Sequence, residues 1–273
     1  MTRSLRWIAH TTIVWILAAA FLLPVLWFLL SSFKPGSELF TWPLRPLPQD
    51  WTLAGFRTAW ERYDFQQFFV NTAVVAVVST VFTVFVSACT GFALAKYRSR
   101  WVQAFFLCLL ATTMLPTEVI MPSTFSVILG LGLYNSLAGI IIPSIITATG
   151  IFMFRQFFST VPDELLEAAR IDGAGEFRIF FRLMLPIARP IIAGLAIFSF
   201  QWRWNDYFWP LLVLNDPKKY TLQLALRSIV GAENIDWSVL LGASVISLLP
   251  MVLLFLVFRR QIMNSDINSG LKD

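Results

Sequence analysis

Histidine is nearly missing from this chain. His10 is the single one in 273 residues, so no site built on paired imidazoles can form within it. Cysteine is almost as scarce: Cys89 and Cys108 each lie in an apolar stretch, with no CxxC spacing and no histidine nearby. Both read as small packing residues rather than metal or redox groups, and no metal site is expected. No GxxxxGK[ST] loop occurs, so any nucleotide chemistry must lie on another chain. No cluster of nucleophile, base or metal ligands gathers near one face, which excludes a membrane-embedded enzyme and leaves no catalytic residue to name. Charge is the remaining shortage. Charged residues make up 14% of the chain, against roughly 25% in a soluble domain. With 57% hydrophobic residues and 15% aromatics, the chain belongs in a bilayer. Its net charge of +5 forms no basic stripe with interleaved aromatics, so nucleic acid is not an expected partner.

A helix rises 1.5 Å per residue and the hydrocarbon core is ~30 Å thick, so each span needs about 20 mostly apolar residues. Six segments meet or approach that length, at about 7–33, 68–95, 101–125, 137–157, 185–209 and 237–258. The fold class is therefore all-α, a polytopic bundle of six transmembrane helices. The first segment runs from Trp7 through Pro24 to Leu30, longer than the ~7–15 residues of a signal-peptide core, and reads as a retained span. From Trp101 to Phe154 the single charge is Glu118, yet the stretch is too long for one crossing. The glycines and polar atoms from Leu129 to Ser136 supply the reversal. Pro116, Pro122 and Pro143 kink these helices or free backbone carbonyls, which a bilayer tolerates where protein or a watery path satisfies them.

Orientation follows the lysines and arginines. With both termini inside, 13 of the 21 fall in inner segments: Arg3, Arg6, Lys96, Arg98, Arg100, Arg155, Arg170, Arg178, Arg182, Arg189, Arg259, Arg260 and Lys272. The first outer loop balances Lys34, Arg45, Arg57 and Arg62 against Glu38, Asp50, Glu61 and Asp64. The chain reads as a multi-pass membrane protein with both termini in the cytoplasm. Its organisation is a first span and outer loop over 1–66, a core over 67–260 with a polar loop at 159–186, and an inner tail over 261–273. Trp42, Trp51, Trp60, Trp101, Trp202, Trp204, Trp209 and Trp237 fit interfacial anchoring.

The polar loop is the most informative segment. Thr160-Val161-Pro162-Asp163 has the form of a capping box, and a helix is expected from about Val161. Glu164 to Arg170 are strong helix formers; Gly173 and Gly175 end the helix. A second helix is expected from about Glu176 to Met184, with Phe177, Phe180, Phe181 and Met184 at helical spacing. An amphipathic helix lying on the lipid surface is the bland alternative. Against it stands the Ala168-Ala169 pair, whose small side chains let a helix approach a partner closely, with Glu167 and Asp172 left to reach basic groups there.

Glu167-Ala168-Ala169, Gly173, and Leu183-x-Leu185-Pro186 resemble the EAA loop of the membrane subunits of binding-protein-dependent ABC importers. Phe154-Arg155-Gln156-Phe157-Phe158, Trp204 to Pro210, Met114-Leu115-Pro116-x-Glu118 and Asn135-Ser136 are similar to the carbohydrate-uptake subgroup, in particular the second permease subunits for maltose and glycerol-3-phosphate. Leucine at 183 stands where isoleucine is more usual. The resemblance, over about 65–260, implies a type I importer permease fold whose EAA loop is a coupling helix seated in a cleft of a cytoplasmic ATPase. It implies coupling roles for Glu167, Ala168, Ala169, Arg170, Asp172, Gly173, Leu185 and Pro186. Implied partners are a second related permease, two ATPase subunits and an extracytoplasmic binding protein. ATP and Mg would lie on the ATPases, and no cofactor on this chain. The polar tail from Asn264 resembles tails that reach the ATPase dimer.

For the translocation path, an ionisable group inside a span is a candidate by default. Glu118 lies 17 residues past Trp101, toward the outer leaflet if the helix is straight. Gln201, Trp204, Asn205 and Asp206 combine aromatic faces with amide and carboxylate groups, the pairing a sugar ring requires. The expected function is a permease subunit of an ATP-driven importer of a sugar or oligosaccharide. The alternatives are the same importer type for glycerol-3-phosphate or its diesters, for which Arg203 would be the cationic group, and an ion-coupled secondary transporter.

Overall fold

Prolines decide where the helices of this chain stop and bend. The computed structural model describes residues 2–97, 99–231 and 234–269, and among these there are helices and turns but no strand. The last four residues of the expected inner tail lie outside the described residues. The helices fall into two compact units, Met1–Gln66 with Ala225–Leu249, and Gln67–Leu224 with Pro250–Asp273. Residues 225–249 thus group with the N-terminal segment.

The first unit opens with α1 (Thr2–Ser31), whose apolar side chains remain uncovered: Trp15 is 71% and Phe21 79% exposed. In an apolar solvent that surface needs no protein cover. Two short helices follow, α2 (Gly36–Leu39) and α3 (Ala54–Arg62). The loop between them is tied down by backbone-directed bonds. Lys34 Nζ donates to the Arg45 carbonyl at 2.6 Å, and the Glu38 carboxylate accepts from the amides of Gln49 and Asp50, each at 3.0 Å. Of the charges that balance in sequence, Arg57 and Glu61 pair directly. A Cβ on Gly55 would collide with the Ser238 carbonyl, and one on Gly242 would lie 2.9 Å from the Phe56 amide, so α3 touches the later segment backbone to backbone.

The second unit is built around α4 (Phe65–Lys96), an unbroken helix with no proline. Thr72, Ala76, Ser79, Thr83 and Ser87 repeat at three or four residues and are buried, forming a seam of small and hydroxyl side chains. Beyond it come α5 (Arg100–Thr112), α6 (Thr117–Gly130), α7 (Leu137–Ser144) and α8 (Ala148–Ser159). Helices α5 and α6 meet at 110° across Thr113–Pro116, so the expected third span is broken. Pro116 lacks the N–H that would continue α5 and begins α6 in its place. The straight-helix depth reckoned for Glu118 is therefore withdrawn. The reversal between α6 and α7 forms as expected, with Gly132 and Asn135 at positive φ.

Between α7 and α8 the helix opens at Ile145–Thr147, just after Pro143. The freed Ser144 carbonyl accepts from Thr83 Oγ1 and from Arg203 Nη2, both at 2.8 Å, while Ser144 Oγ donates to Ser79 Oγ at 2.9 Å. Thr147 Oγ1 accepts from the Gly150 amide and starts α8. A Cβ on Gly91 would approach Phe154 Cβ to 2.5 Å, so α4 and α8 pack without clearance.

The rest of the chain runs through α9 (Asp163–Ile171), α10 (Glu176–Ile179), a π turn (Phe180–Met184), α11 (Leu185–Ile187), α12 (Arg189–Trp204), α13 (Phe208–Val213), a 3₁₀ turn (Pro217–Lys219), α14 (Leu222–Val230) and α15 (Trp237–Ser269). The 76° bend between α11 and α12 shortens the fifth expected span at its start. Among the described residues, four helical segments are long and apolar enough to cross a membrane, or up to six if each bent pair counts as one span. Two of the tryptophans expected at the interface are core residues instead. Trp204 is 1% exposed between Phe69 and Phe200, and Trp209 Nε1 donates to the Gly139 carbonyl at 3.1 Å.

Because α4 and α8 leave no space at Gly91, Gly91→Ala should lower the thermal unfolding midpoint in detergent, at a cost of about 1–3 kcal/mol. Gly194→Ala, in α12 with nothing within 4 Å of the added Cβ, should hold or raise it.

Candidate functional site: the polar loop

The loop from α8 to α12 stands on aromatic rings. Phe92 of α4, Phe154 and Phe158 of α8, and Val161, Leu166, Ile179, Phe180, Met184 and Ala188 of the loop itself are all buried together. Phe92 meets Phe158 at 5.9 Å and Phe180 at 5.4 Å between centroids. This apolar underside fixes which residues of α9 face outward.

The capping box expected at Thr160 does not form. Thr160 Oγ1 donates back to the Phe157 carbonyl at 2.7 Å and closes α8, while α9 begins at Asp163 behind Pro162 with no side-chain cap. Asp163 and Glu164 then occupy the first turn and Arg170 the last, which suits the helix dipole. At the C-terminal end the Gly173 amide donates to the Arg170 carbonyl and the Ala174 amide to the Ala169 carbonyl, both at 3.0 Å. These are the two bonds of a Schellman motif, with Gly173 in the left-handed position at φ +78°. An added Cβ there would meet nothing within 4 Å, so the glycine is needed for its backbone angle and not for space.

Glu167, Ala168, Asp172 and Gly173 are exposed, whereas Ala169 is half-buried and packs on the aromatic cluster. The alanine pair is thus split: Ala168 is the one free to approach a partner, and Ala169 holds the helix to its own chain. Arg170, also exposed, lies along the loop, its Nε donating to Glu176 Oε1 at 2.8 Å. Tyr97 Oη donates to Glu176 Oε2 at 2.7 Å. Hydrogen bonds from Arg170 and then Tyr97 hold the Glu176 carboxyl below the usual carboxylate range. Leu185 is half-buried against the cluster and Pro186 is exposed. The π turn lies just before Pro186, where a wider i to i+5 pattern joins the Leu185 amide to the Phe180 carbonyl.

Ile171 (86% exposed) and Phe177 (83% exposed) also stand on the outer face. Nothing in the sequence marks them, since an apolar residue in an amphipathic helix is expected to point inward. Their exposure, beside Ala168 and two acids and with Arg170, Arg178 and Arg182 also exposed, gives the loop a surface of mixed apolar and charged groups.

The residues expected along a path do not form one cluster. Glu118 is exposed in the first turn of α6, at the break. Gln201 and Asn205 are exposed one turn apart, and Asn205 Nδ2 donates to the Gln201 carbonyl at 3.1 Å. Gln223 Nε2 reaches Asn205 Oδ1 at 3.4 Å. Trp204 is taken up by the core, and Asp206 is half-buried, with Oδ1 accepting the Trp209 amide at 3.4 Å. Gln201 and Asn205 are thus open at the surface and Trp204 is not.

The family model for binding-protein-dependent transport system inner membrane components matches residues 87–263, which include the whole polar loop. The chain belongs to this family. Among curated proteins it is 33% identical to the arabinooligosaccharides transport system permease protein AraQ of Bacillus subtilis, over 97% of this chain and 95% of that protein. It is 34% identical to the sn-glycerol-3-phosphate transport system permease protein UgpE of Agrobacterium fabrum, over 93% of each. Among solved structures, a chain of a bacterial ABC transporter involved in the import of the acidic polysaccharide alginate superposes with a TM-score of 0.86, covering 95% of this chain and 97% of that one at 23% identity, a likeness of fold. Family membership sets aside the ion-coupled secondary transporter.

The left-handed position at residue 173 makes a ranked prediction. Glycine, asparagine, alanine and valine should couple ATP hydrolysis to uptake in that falling order, because a β-carbon at positive φ costs about 1–2 kcal/mol and asparagine is penalised least. Uptake per ATP hydrolysed, measured in proteoliposomes for the four variants, checks the order.

Proposed function

We propose that this chain is a permease subunit of an ATP-driven importer that carries a sugar or oligosaccharide inward across the cytoplasmic membrane, with the outer face of α9 seated in a cleft of an ATPase subunit. The observation that carries the reading is the split of the EAA motif, in which the cluster-facing side of α9 is fixed and Glu167, Ala168, Asp172 and Ile171 are left free. The complex would contain a second related permease, two ATPase subunits holding ATP and Mg, and an extracytoplasmic binding protein. Both termini would lie on the ATPase side, in keeping with the lysine and arginine distribution. ATP-driven closure of the ATPases would draw the two coupling loops together, and rigid-body rocking would switch the path between its two faces.

A neutral substrate is favoured over a phosphate. Arg203, the cation an anionic substrate would seek, has one guanidinium nitrogen bonded to the Ser144 carbonyl and lies near Asp206, while its Nε is buried without a hydrogen-bond partner. It is half-buried and already tied to the fold. Hydroxyl recognition would fall to the exposed amides of Gln201 and Asn205, with Glu118 as a further acceptor. Glycerol-3-phosphate or a diester is the second reading, supported by the resemblance to UgpE.

Ala168→Trp should abolish co-purification of the ATPase from native membrane in mild detergent while leaving the permease folded, as judged by its thermal midpoint. Retention of the ATPase by that variant would remove the docking assignment. Mass spectrometry of the wild-type complex should recover an ATPase, a second permease and a binding protein. Recovery of this chain alone would overturn the importer reading. The recovered binding protein should bind neutral oligosaccharide and not glycerol-3-phosphate in calorimetry.

A further inference from the structure

Two residues at the end of α4 that belong to no recognised motif grip both ends of α9. Lys96 is in the last turn of α4, and its side chain is 3% exposed. Its ammonium donates to Asp163 Oδ1 at 2.7 Å and to the Val161 carbonyl at 2.6 Å. Asp163 is the first residue of α9. The next residue along, Tyr97, donates to Glu176, and the other oxygen of that carboxylate holds Arg170 in the last turn of α9. The Tyr97 ring, although 41% exposed, rests edge-on against Phe92, 6.1 Å between centroids.

We infer that Lys96 and Tyr97 are positioning residues that make α9 move as one body with α4, so that displacement of the polar loop is delivered to the long helix carrying the hydroxyl seam. Exposed ion pairs are weak and long side chains swing, so the Arg170–Glu176 pair, 43% and 44% exposed, is the weaker of the two links. Lys96 is neither exposed nor free to swing, and a desolvated ammonium between a helix C-terminus and two oxygen acceptors resists any motion that would leave it alone. The aromatic cluster alone would let α9 slide, because apolar contact has no direction. The two polar links give it direction and register, one at each end of the rod. Removing either link leaves α9 attached but able to tilt, and part of the ATPase stroke is then absorbed locally.

This inference rests on the reading of α9 as the ATPase-docking helix. The test uses the complete transporter in proteoliposomes, loaded with its binding protein and whatever sugar that protein carries. Lys96→Met keeps the apolar stem and drops the ammonium; Tyr97→Phe keeps the ring and drops one bond. Each should lower uptake per ATP hydrolysed by about threefold, the loss expected for one hydrogen-bonded link, with about tenfold for the pair. ATPase bound per permease should stay at the wild-type level, and Lys96→Arg should restore coupling. A role confined to folding would reduce the amount of assembled complex, scale uptake and hydrolysis together and leave their ratio unchanged, and that result overturns the inference. So does a wild-type ratio in both single variants and the double. Loss of the docking reading is recognised separately, since it would show as wild-type permease that binds no ATPase.

Discussion

Hydrocarbon offers no hydrogen-bond partner, so each place where a helix opens inside the membrane must find its donors within the protein. The Ser144 carbonyl is where this constraint bears hardest. Opening the chain at Ile145–Thr147 separates α7 from α8, and the oxygen released is met from two other helices, by Thr83 of α4 and Arg203 of α12. Three segments far apart in sequence are thereby joined at one atom. A charged donor makes the strongest of such bonds, and Asp206 keeps the guanidinium from standing as a lone charge. The position of α12, and with it the exposed amides at its end, follows from that oxygen.

A second constraint acts at the end of the helices, where the polar loop must be held without being buried. The loop meets it by having two faces. Its underside interlocks with phenylalanines from α4 and α8, and its outer side carries Ala168, Ile171, Asp172 and Phe177. The Schellman turn at Gly173 returns the chain so that Ile179 of α10 and Phe180 of the π turn can enter the same cluster. One backbone angle thus connects the exposed helix with its support. The loop's charged residues divide in the same way: Glu167 and Asp172 are left to solvent, while Arg170 and Glu176 hold each other.

Much of this was legible in the sequence, for identifiable reasons. Apolar runs of span length, the glycine after a strong helix former and the turn at Leu129–Ser136 all express local physics, and local physics is written in consecutive residues. What failed to be legible depended on rotation or on partners. Whether Ala168 or Ala169 faces outward turns on 100° of helix rotation, which Leu166 and the cluster decide. Thr160 can cap the helix after it or close the one before it, and its hydroxyl found the Phe157 carbonyl first. Trp204 and Trp209 carry the composition of an interfacial belt, yet Phe69, Phe200 and the Gly139 carbonyl were near enough to enclose them. Pro116 could have kinked the third span by 30° or ended it; at 110° the helix ends, and the depth of Glu118 changes with it.

Polar links are unevenly distributed along α4. Those that tie it to other segments gather at three places: Asn71 and Thr72, bonded to the backbone at 218–222; Ser79 and Thr83, bonded to Ser144; and Lys96 with the adjoining Tyr97, bonded to the polar loop. Between the second and the third of these, the seam contributes Ser87, whose Oγ makes no hydrogen bond, and Gly91 packs on Phe154 without clearance. A hydroxyl in this setting contributes little to holding a helix in register, since its bonds are worth about 0.6 kcal/mol on average within a membrane. The polar loop is thus joined to α4 by directed bonds at Lys96 and by close packing at Phe92 and Gly91, and α4 is bonded again where α7 and α12 meet it at Ser144. A stretch held at both ends by directed bonds and between them by interlocked side chains has no loose contact to absorb a shift, so it yields as a body rather than by bending.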